Sequence, residues 1–135
     1  MKLLQYVSAY IALLTLTKKE MPYAVSYELV KLKQRISPKV EYYTEEEKKL
    51  VNRFAQTDES GRPTIRNGSF TCKGDDERER AANTAEYERL RGDLGNVEDG
   101  DAIIKPVIRL PEDIRVSPEV LEALEPFVTF ARDEG

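Results

Sequence analysis

An apolar residue recurs every three or four positions from Val25 to Phe54, which is the spacing of one face of a helix. The row consists of Val25, Leu29, Leu32, Ile36, Val40, Tyr43, Leu50 and Phe54, and only Glu47 occupies an expected apolar position with a charge. This pattern predicts one long helix from about Ala24 to Ala55. A helix of that length would organise the whole chain.

Two local signals inside this row favour a break instead. Ser37-Pro38 has the form of an N-cap followed by a first-turn proline, and Thr44 with Glu47 has the form of a capping box. A new helix that began at Ser37 would have no reason to keep the phase of the preceding one, yet Val40 continues that phase. The phase therefore favours one helix, kinked where Pro38 removes a backbone hydrogen bond.

The run from Leu3 to Leu16 is mostly apolar and predicts a shorter helix at the N-terminus. Leu3, Val7, Ile11 and Leu14 recur at spacings of four and three, so we expect this row to be buried against the rest of the fold. A secretory signal peptide is the alternative, because a lysine precedes the run. The polar residues within the run, the charges directly after it and the lack of a clear small-x-small cleavage site favour the buried helix. The run is also shorter than the roughly 20 apolar residues that cross a bilayer.

The middle of the chain predicts β-structure. Asn67-Gly68 supplies the two residue types that a type I′ hairpin turn requires, so we expect Ile65 and Phe70 to face each other on two short strands. The segment 102–110 is rich in β-branched residues and predicts a third strand, which Pro106 would restrict to a sheet edge or a bulge. The three strands would form one small antiparallel sheet.

Capping signals predict two further helices. Asp76 and Glu79 cap a helix that would end near Asp93, and Ser117-Pro118 caps a final one. The apolar residues of the final helix would be Val120, Leu121, Leu124, Phe127 and Val128. The predicted fold class is α+β, predominantly helical, with four helices including the long kinked one and a small antiparallel sheet. We expect a single domain over 1–135, made of a helical part (1–56), a loop and hairpin (57–74) and a helix, strand and C-terminal helix (75–135).

The residue types present argue against several chemistries. The chain has no histidine and one cysteine, so the commonest general base and the usual zinc ligand sets are missing. The glycines fit neither spacing of a nucleotide-binding loop. The carboxylate runs 45–47 and 75–77 stand at predicted helix N-termini, where capping and the helix dipole explain them. Cys72 is more typical of a small core residue than of a nucleophile. We therefore predict no enzyme, no metal and no cofactor.

Charge is divided unevenly along the chain. Residues 1–73 hold 13 basic and 8 acidic side chains, a net +5, whereas residues 74–135 hold 8 basic and 17 acidic, a net −9. Two clusters are candidates for binding a protein partner: Tyr23, Tyr27, Lys31 and Arg35 on the long helix, and Asp75, Asp76 and Glu77 further on. Core-boundary tyrosines and a solvated basic helix face are the plainer interpretations of the first cluster. Because the basic side chains are explained as the solvated face of a helix, we do not expect direct binding of nucleic acid.

The chain also resembles a known family. The resemblance is carried by Lys18-Lys19-Glu20-Met21-Pro22, by Val25-Ser26-Tyr27 with Leu29 and Lys31, by the charged stretch 45–51 and by the Ile-x-Val-Ser-Pro segment at 114–118. These segments are similar to short, functionally uncharacterised proteins encoded by phages and prophages of Gram-positive bacteria. The hairpin and the 75–93 region depart from that pattern. The resemblance implies a phage or prophage origin and carries over no active residue.

Two functions from different classes follow as hypotheses. One is a non-catalytic binding protein that inhibits a host defence protein by direct contact, since the chain is small, acidic and lacks a catalytic signature. The alternative is a structural or assembly protein of the phage particle, in which the long helix and the opposed charges drive self-association into a homo-oligomer. Both place the chain in the cytoplasm of the host bacterium and away from the membrane.

Overall fold

The computed structural model describes residues 1–100 and 105–132. Its helices are α1 (Leu3–Leu16), α2 (Tyr23–Phe54), α3 (Glu77–Gly95) and α4 (Pro118–Leu124), and its strands are β1 (Val107–Leu110) and β2 (Thr129–Arg132). The chain forms two compact units, the terminal unit (Met1–Glu41 with Glu98–Gly135) and the central unit (Tyr42–Val97). Because α2 contributes residues to both units, the expectation of a single domain stays a prediction.

The long helix is confirmed. Helix α2 runs from Tyr23 to Phe54 with Pro38 inside it, so the local capping signal at Ser37 does not start a new helix. The residues of the apolar row that are buried on α2 are Leu29, Leu32, Ile36, Tyr43 and Phe54. Burial of this face outweighs the hydrogen bond that the proline removes, which costs about 3 kcal/mol.

Helix α1 has the predicted bounds, but only Leu3 of the four residues that we expected to be buried is buried, so most of the predicted row is wrong. Ile11 is 58% exposed and Leu14 is 38% exposed. The buried residues of α1 are Leu3, Tyr6, Ala9, Ala12, Leu13 and Leu16. Since α1 is apolar around nearly its whole circumference, two rows compete for the core. The row with the two alanines is the one that lies inside, because small side chains let a neighbouring element approach closely.

The core of the terminal unit joins α1, α2, β1 and α4. Its buried residues are Tyr6, Ala9, Ala12, Leu13, Leu16, Leu29, Leu32, Ile36, Ile108, Ile114, Leu124, Phe127 and Val128. The rings of Tyr6 and Phe127 lie 5.2 Å apart, centroid to centroid, in a tilted arrangement. Such pairs contribute about 0.5–1.5 kcal/mol beyond the area that they bury.

The predicted antiparallel sheet is wrong. Strands β1 and β2 pair in parallel, with Val107 opposite Thr129 and Leu110 opposite Arg132. Parallel neighbours need a crossover connection, and here α4 lies between the two strands in sequence. The last helix is shorter than we predicted: α4 ends at Leu124, so Phe127 and Val128 are buried in the turn between α4 and β2 and are not part of the helix. The predicted start of the third strand, at 102, lies outside the described residues.

The turn at Asn67-Gly68 has the predicted backbone. Both residues have positive φ, 53° and 75°, as a type I′ turn requires. The backbone N–H of Arg66 donates to the carbonyl of Ser69 at 2.8 Å, and the reverse bond measures 2.9 Å. The pairing stops at this single bridge, so the turn does not lead into a hairpin.

The arms of the turn are separated by the segment that follows α2. The N–H of Thr64 donates to the carbonyl of Gln56 at 2.8 Å, and the N–H of Gln56 donates to the carbonyl of Thr71 at 2.8 Å. Gln56 thus accepts a backbone hydrogen bond from one arm and donates one to the other, so Thr64 and Thr71 do not pair with each other. The prediction that Ile65 and Phe70 face each other on two paired strands is therefore wrong.

Candidate functional site

The four α2 residues predicted to bind a partner lie in one row on the helix surface, because each stands four positions from the next. Tyr23 is 94% exposed and Tyr27 is 62% exposed, and Lys31 and Arg35 are exposed as well. Tyrosine usually buries its ring and leaves only its hydroxyl in water. The two exposed phenol rings, one helical turn apart, depart from this pattern and stay candidates for contact with a partner. We name these four residues the tyrosine row.

Lys31 is held against its neighbours in this row. Its Nζ lies 4.9 Å from the ring centroid of Tyr27 and 2.9 Å from Oε1 of Glu28. The hydrogen bond with Glu28 raises the pKa of the Lys31 ammonium. Pairs this exposed contribute little to stability. They place a cation beside an aromatic ring on the surface of the helix.

The surroundings of the tyrosine row are basic. Within residues 18–35, the basic side chains are Lys18, Lys19, Lys31, Lys33 and Arg35, five in all, and the acidic ones are Glu20 and Glu28, which leaves a net +3. A surface of this sign favours an acidic partner, both during encounter and at contact.

The second predicted cluster has a structural role at the start of α3. Asp76 is the N-cap, and its Oδ1 accepts the backbone N–H of Glu79 at 2.8 Å. The backbone N–H of Asp75 donates to Oε2 of Glu79 at 3.4 Å. Asp75, Asp76 and Glu77 belong to the central unit, whereas the tyrosine row belongs to the terminal unit, so each cluster stands as a separate candidate.

The sequence did not predict a cleft of about 690 Å³ in the central unit. Six of the side chains that line it are Glu47, Phe70, Cys72, Thr84, Tyr87 and Arg91. Tyr87 contacts two other rings edge-on, with centroids 5.0 Å from Phe70 and 6.1 Å from Phe54. One signal pointed to this cleft: Glu47 is the residue that interrupts the apolar row of α2.

Two charged side chains of the cleft, Glu47 and Arg91, pair with each other. Oε2 of Glu47 lies 3.2 Å from Nε of Arg91, so the two charges compensate. Burial lowers the pKa of Arg91, but a hydrogen bond with Tyr43 and the charge of Glu47 outweigh it and raise that pKa overall. Burial also raises the pKa of Tyr87. Over 1–100 and 105–132, no group of three or more acidic, cysteine or histidine side chains is placed to hold a metal ion.

No family model, curated protein or solved structure matches this chain. Among the helices of the described ranges, none has both the length and the apolar character needed to cross a bilayer.

Proposed function

We propose that this chain is a non-catalytic binding protein of phage or prophage origin that inhibits a host defence protein by direct contact. The observation that carries the proposal is the exposure of Tyr23 and Tyr27 beside Lys31 and Arg35. Tyrosine and arginine, together with tryptophan, are enriched among the residues that dominate binding energy at protein interfaces. Two exposed phenols in line with two cations are therefore suited to an acidic protein surface.

Other parts of the proposal have separate support. The phage or prophage origin is supported by the resemblance of segments 18–31, 45–51 and 114–118 to that family. The inhibitory role is supported by the small size of the chain and by the lack of any recognisable catalytic motif in its sequence. The site that would bind the host protein is the tyrosine row.

The test is affinity purification of the tagged full chain from cells of the host bacterium, followed by titration of the purified partner. We expect a double variant, Tyr23→Ala with Tyr27→Ala, to weaken binding by at least about 30-fold, since one hot-spot truncation alone costs about 2 kcal/mol and the losses at neighbouring residues do not simply add. Tyr42→Ala is the matched control, because Tyr42 is an exposed tyrosine of the same helix outside the row. The wild-type chain should also inhibit the activity of the captured protein.

Two results would overturn this proposal. One is a partner that binds the double variant as tightly as the wild type. The other is a captured protein whose activity is unchanged at saturating concentrations of the chain.

A structural or assembly protein of the phage particle is the second candidate function. It is favoured by apolar side chains that α1 leaves exposed on the side away from the core. The position of the gene discriminates between the two functions. Neighbouring genes for tail and capsid proteins favour assembly, whereas neighbouring early or anti-defence genes favour inhibition.

A further inference from the structure

A small cavity lies between the end of α1 and the start of α4, two helices that pack against each other in the terminal unit. Its volume is about 120 Å³. Its apolar wall is formed by Leu16, Val116 and Val120. Leu16 is buried, and the two valines are half-buried against the hydrophobic core. We name this space the α1–α4 cavity.

The two side-chain hydroxyl groups of the cavity wall are already bonded to the backbone. Oγ1 of Thr15 donates to the carbonyl of Ile11 at 3.3 Å, and Oγ of Ser117 accepts the N–H of Val120 at 3.4 Å. A buried water molecule needs about two to four polar partners, and hydroxyls that are already engaged offer it few. An apolar group of a ligand therefore gains free energy by displacing water from the cavity.

Two exposed cations, Lys19 and Arg115, complete the lining. Among the residues that the structure describes, no acidic side chain lines the cavity and neither cation forms an ion pair. Glu20 and Asp113, the acidic residues closest to them in sequence, lie outside the lining. Long cationic side chains lay their alkyl stems along apolar surface and keep their charged ends in water. The two charges therefore belong at the mouth of the cavity, where they attract an anion.

The size of the cavity limits what it encloses. A cavity of roughly 150 Å³ takes up a benzene molecule, so this smaller one holds about four or five carbon atoms. We propose that the α1–α4 cavity binds an aliphatic carboxylate, with its alkyl group inside and its carboxylate between Lys19 and Arg115 at the mouth. A free short-chain acid and the C-terminal residue of a peptide ending in leucine share this chemistry. The cavity and the tyrosine row have no residue in common, and this proposal does not rest on the proposed function.

An NMR titration of the full chain, followed at the methyl groups of Val116 and Val120, tests the class of ligand. We expect isocaproate to bind with a dissociation constant of about 1 mM, because few of its atoms are enclosed. Isocaproamide keeps the alkyl group without the charge, and acetate keeps the charge without the alkyl group. Each should bind at least about fivefold more weakly than isocaproate. Either control ligand binding as tightly as isocaproate overturns the proposal, and so do valine methyl signals that do not shift.

Charge removal tests the two cations. Lys19→Gln and Arg115→Gln should each raise the dissociation constant of isocaproate about three- to fivefold, the range of an exposed charge pair. The matched controls are Lys18→Gln and Arg109→Gln, because both residues are exposed cations of the same unit that do not line the cavity. Their dissociation constants should equal that of the wild type. Control variants that weaken binding as much as the cavity variants overturn the proposal, since net charge alone would then explain the attraction. Circular dichroism checks that all four variants are folded.

A further ligand distinguishes the two sources of the carboxylate. N-acetyl-leucine carries a branched alkyl group beside its carboxylate and represents the C-terminus of a peptide. Tighter binding of N-acetyl-leucine than of isocaproate assigns the cavity to a peptide C-terminus, and the reverse order assigns it to a free acid. The double variant Tyr23→Ala with Tyr27→Ala should bind isocaproate like the wild type, so failure of this site and failure of the proposed function give different results.

Discussion

The terminal and central units bury very different sets of side chains. The terminal unit has a continuous core of leucine, isoleucine and aromatic residues drawn from α1, α2, β1 and α4. The buried apolar side chains of the central unit are Tyr43, Phe54, Ala55 and Cys72. Much of the rest of the central unit is held by ring contacts around Tyr87, by the Glu47–Arg91 ion pair and by backbone bonds of Gln56.

This difference indicates how stability is distributed. Free energy from apolar burial scales with the area removed from water, at about 25 cal/mol per Å². Regions with few buried contacts and many exposed backbone hydrogen bonds open at lower free energy than a packed core. We therefore expect the terminal unit to determine global stability and the central unit, which holds the cleft, to open first. The following predictions test that comparison, from the largest expected effect to the smallest.

Truncating the core of the terminal unit should have the largest effect. Leu13 has no exposed surface, so Leu13→Ala should lower the free energy of unfolding by about 3–5 kcal/mol. Leu14→Ala removes the same atoms from the next, partly exposed position and should cost less than about 1 kcal/mol. Urea unfolding followed by circular dichroism measures both. Equal losses would contradict the assignment of the inner row of α1 to the core.

A substitution of a buried side chain in the central unit should destabilise mainly that unit. Phe54 is buried and contacts Tyr87 edge-on, so Phe54→Leu should cost about 1–2 kcal/mol. Hydrogen exchange should show loss of protection within 42–97, while amides of α1 keep theirs. Equal loss in both units would show instead that the chain unfolds as one cooperative body.

The cap of α3 should contribute less. Asp76→Ala removes the acceptor for the N–H of Glu79 and should cost about 1 kcal/mol, with a loss of helix signal in circular dichroism. Asp76→Asn keeps an acceptor at the same place and should retain most of the stability. Asp75→Ala, at a position that does not cap, should change little. If Asp75→Ala costs as much as Asp76→Ala, local charge and not the cap stabilises this end of the helix.

The smallest expected effect is on the stability of the fold at alkaline pH. Burial raises the pKa of Tyr87 above its ordinary value of 10.0, with Arg91 acting in the opposite direction. The folded state therefore favours the protonated phenol of Tyr87. The stability that this preference contributes is fully present below the ordinary pKa of the phenol, and it is lost as the pH rises through the raised pKa of the folded state. Tyr87→Phe removes the titrating group, so its stability should fall less steeply above about pH 10. Urea midpoints across this range measure the difference, and identical pH profiles would contradict it.

Several elements were predictable because the sequence pattern behind each one either lies within a few residues or extends over many helical turns. The cap at Asp76, the cap at Ser117 and the turn at Asn67-Gly68 each depend on residues within a few positions. Helix α2 was predictable for the opposite reason, since its apolar row is long enough to outweigh the proline inside it. The spacing of Tyr23 and Tyr27 made them candidates for an interface, but placement at the core boundary was the plainer interpretation. Only the packed structure shows that both rings are exposed.

The cleft and the sheet were not predictable in this way. Glu47 marked a departure from the apolar row, but nothing nearby in sequence showed that Arg91 would lie opposite it. The parallel pairing of β1 with β2 depends on α4 as a crossover, and the separation of the turn's arms depends on Gln56, which lies eight positions before Thr64. Each of these features depends on which residue distant in sequence forms the backbone hydrogen bond or the ion pair.

By itself, the sequence determined that α1 and α2 are helices with apolar faces, because periodicity and capping act between residues close along the chain. Only the tertiary structure decided which face of α1 lies inside. Both faces offer apolar area, so transfer from water does not choose between them, and the choice falls to close packing against Phe127 and its neighbours in the core.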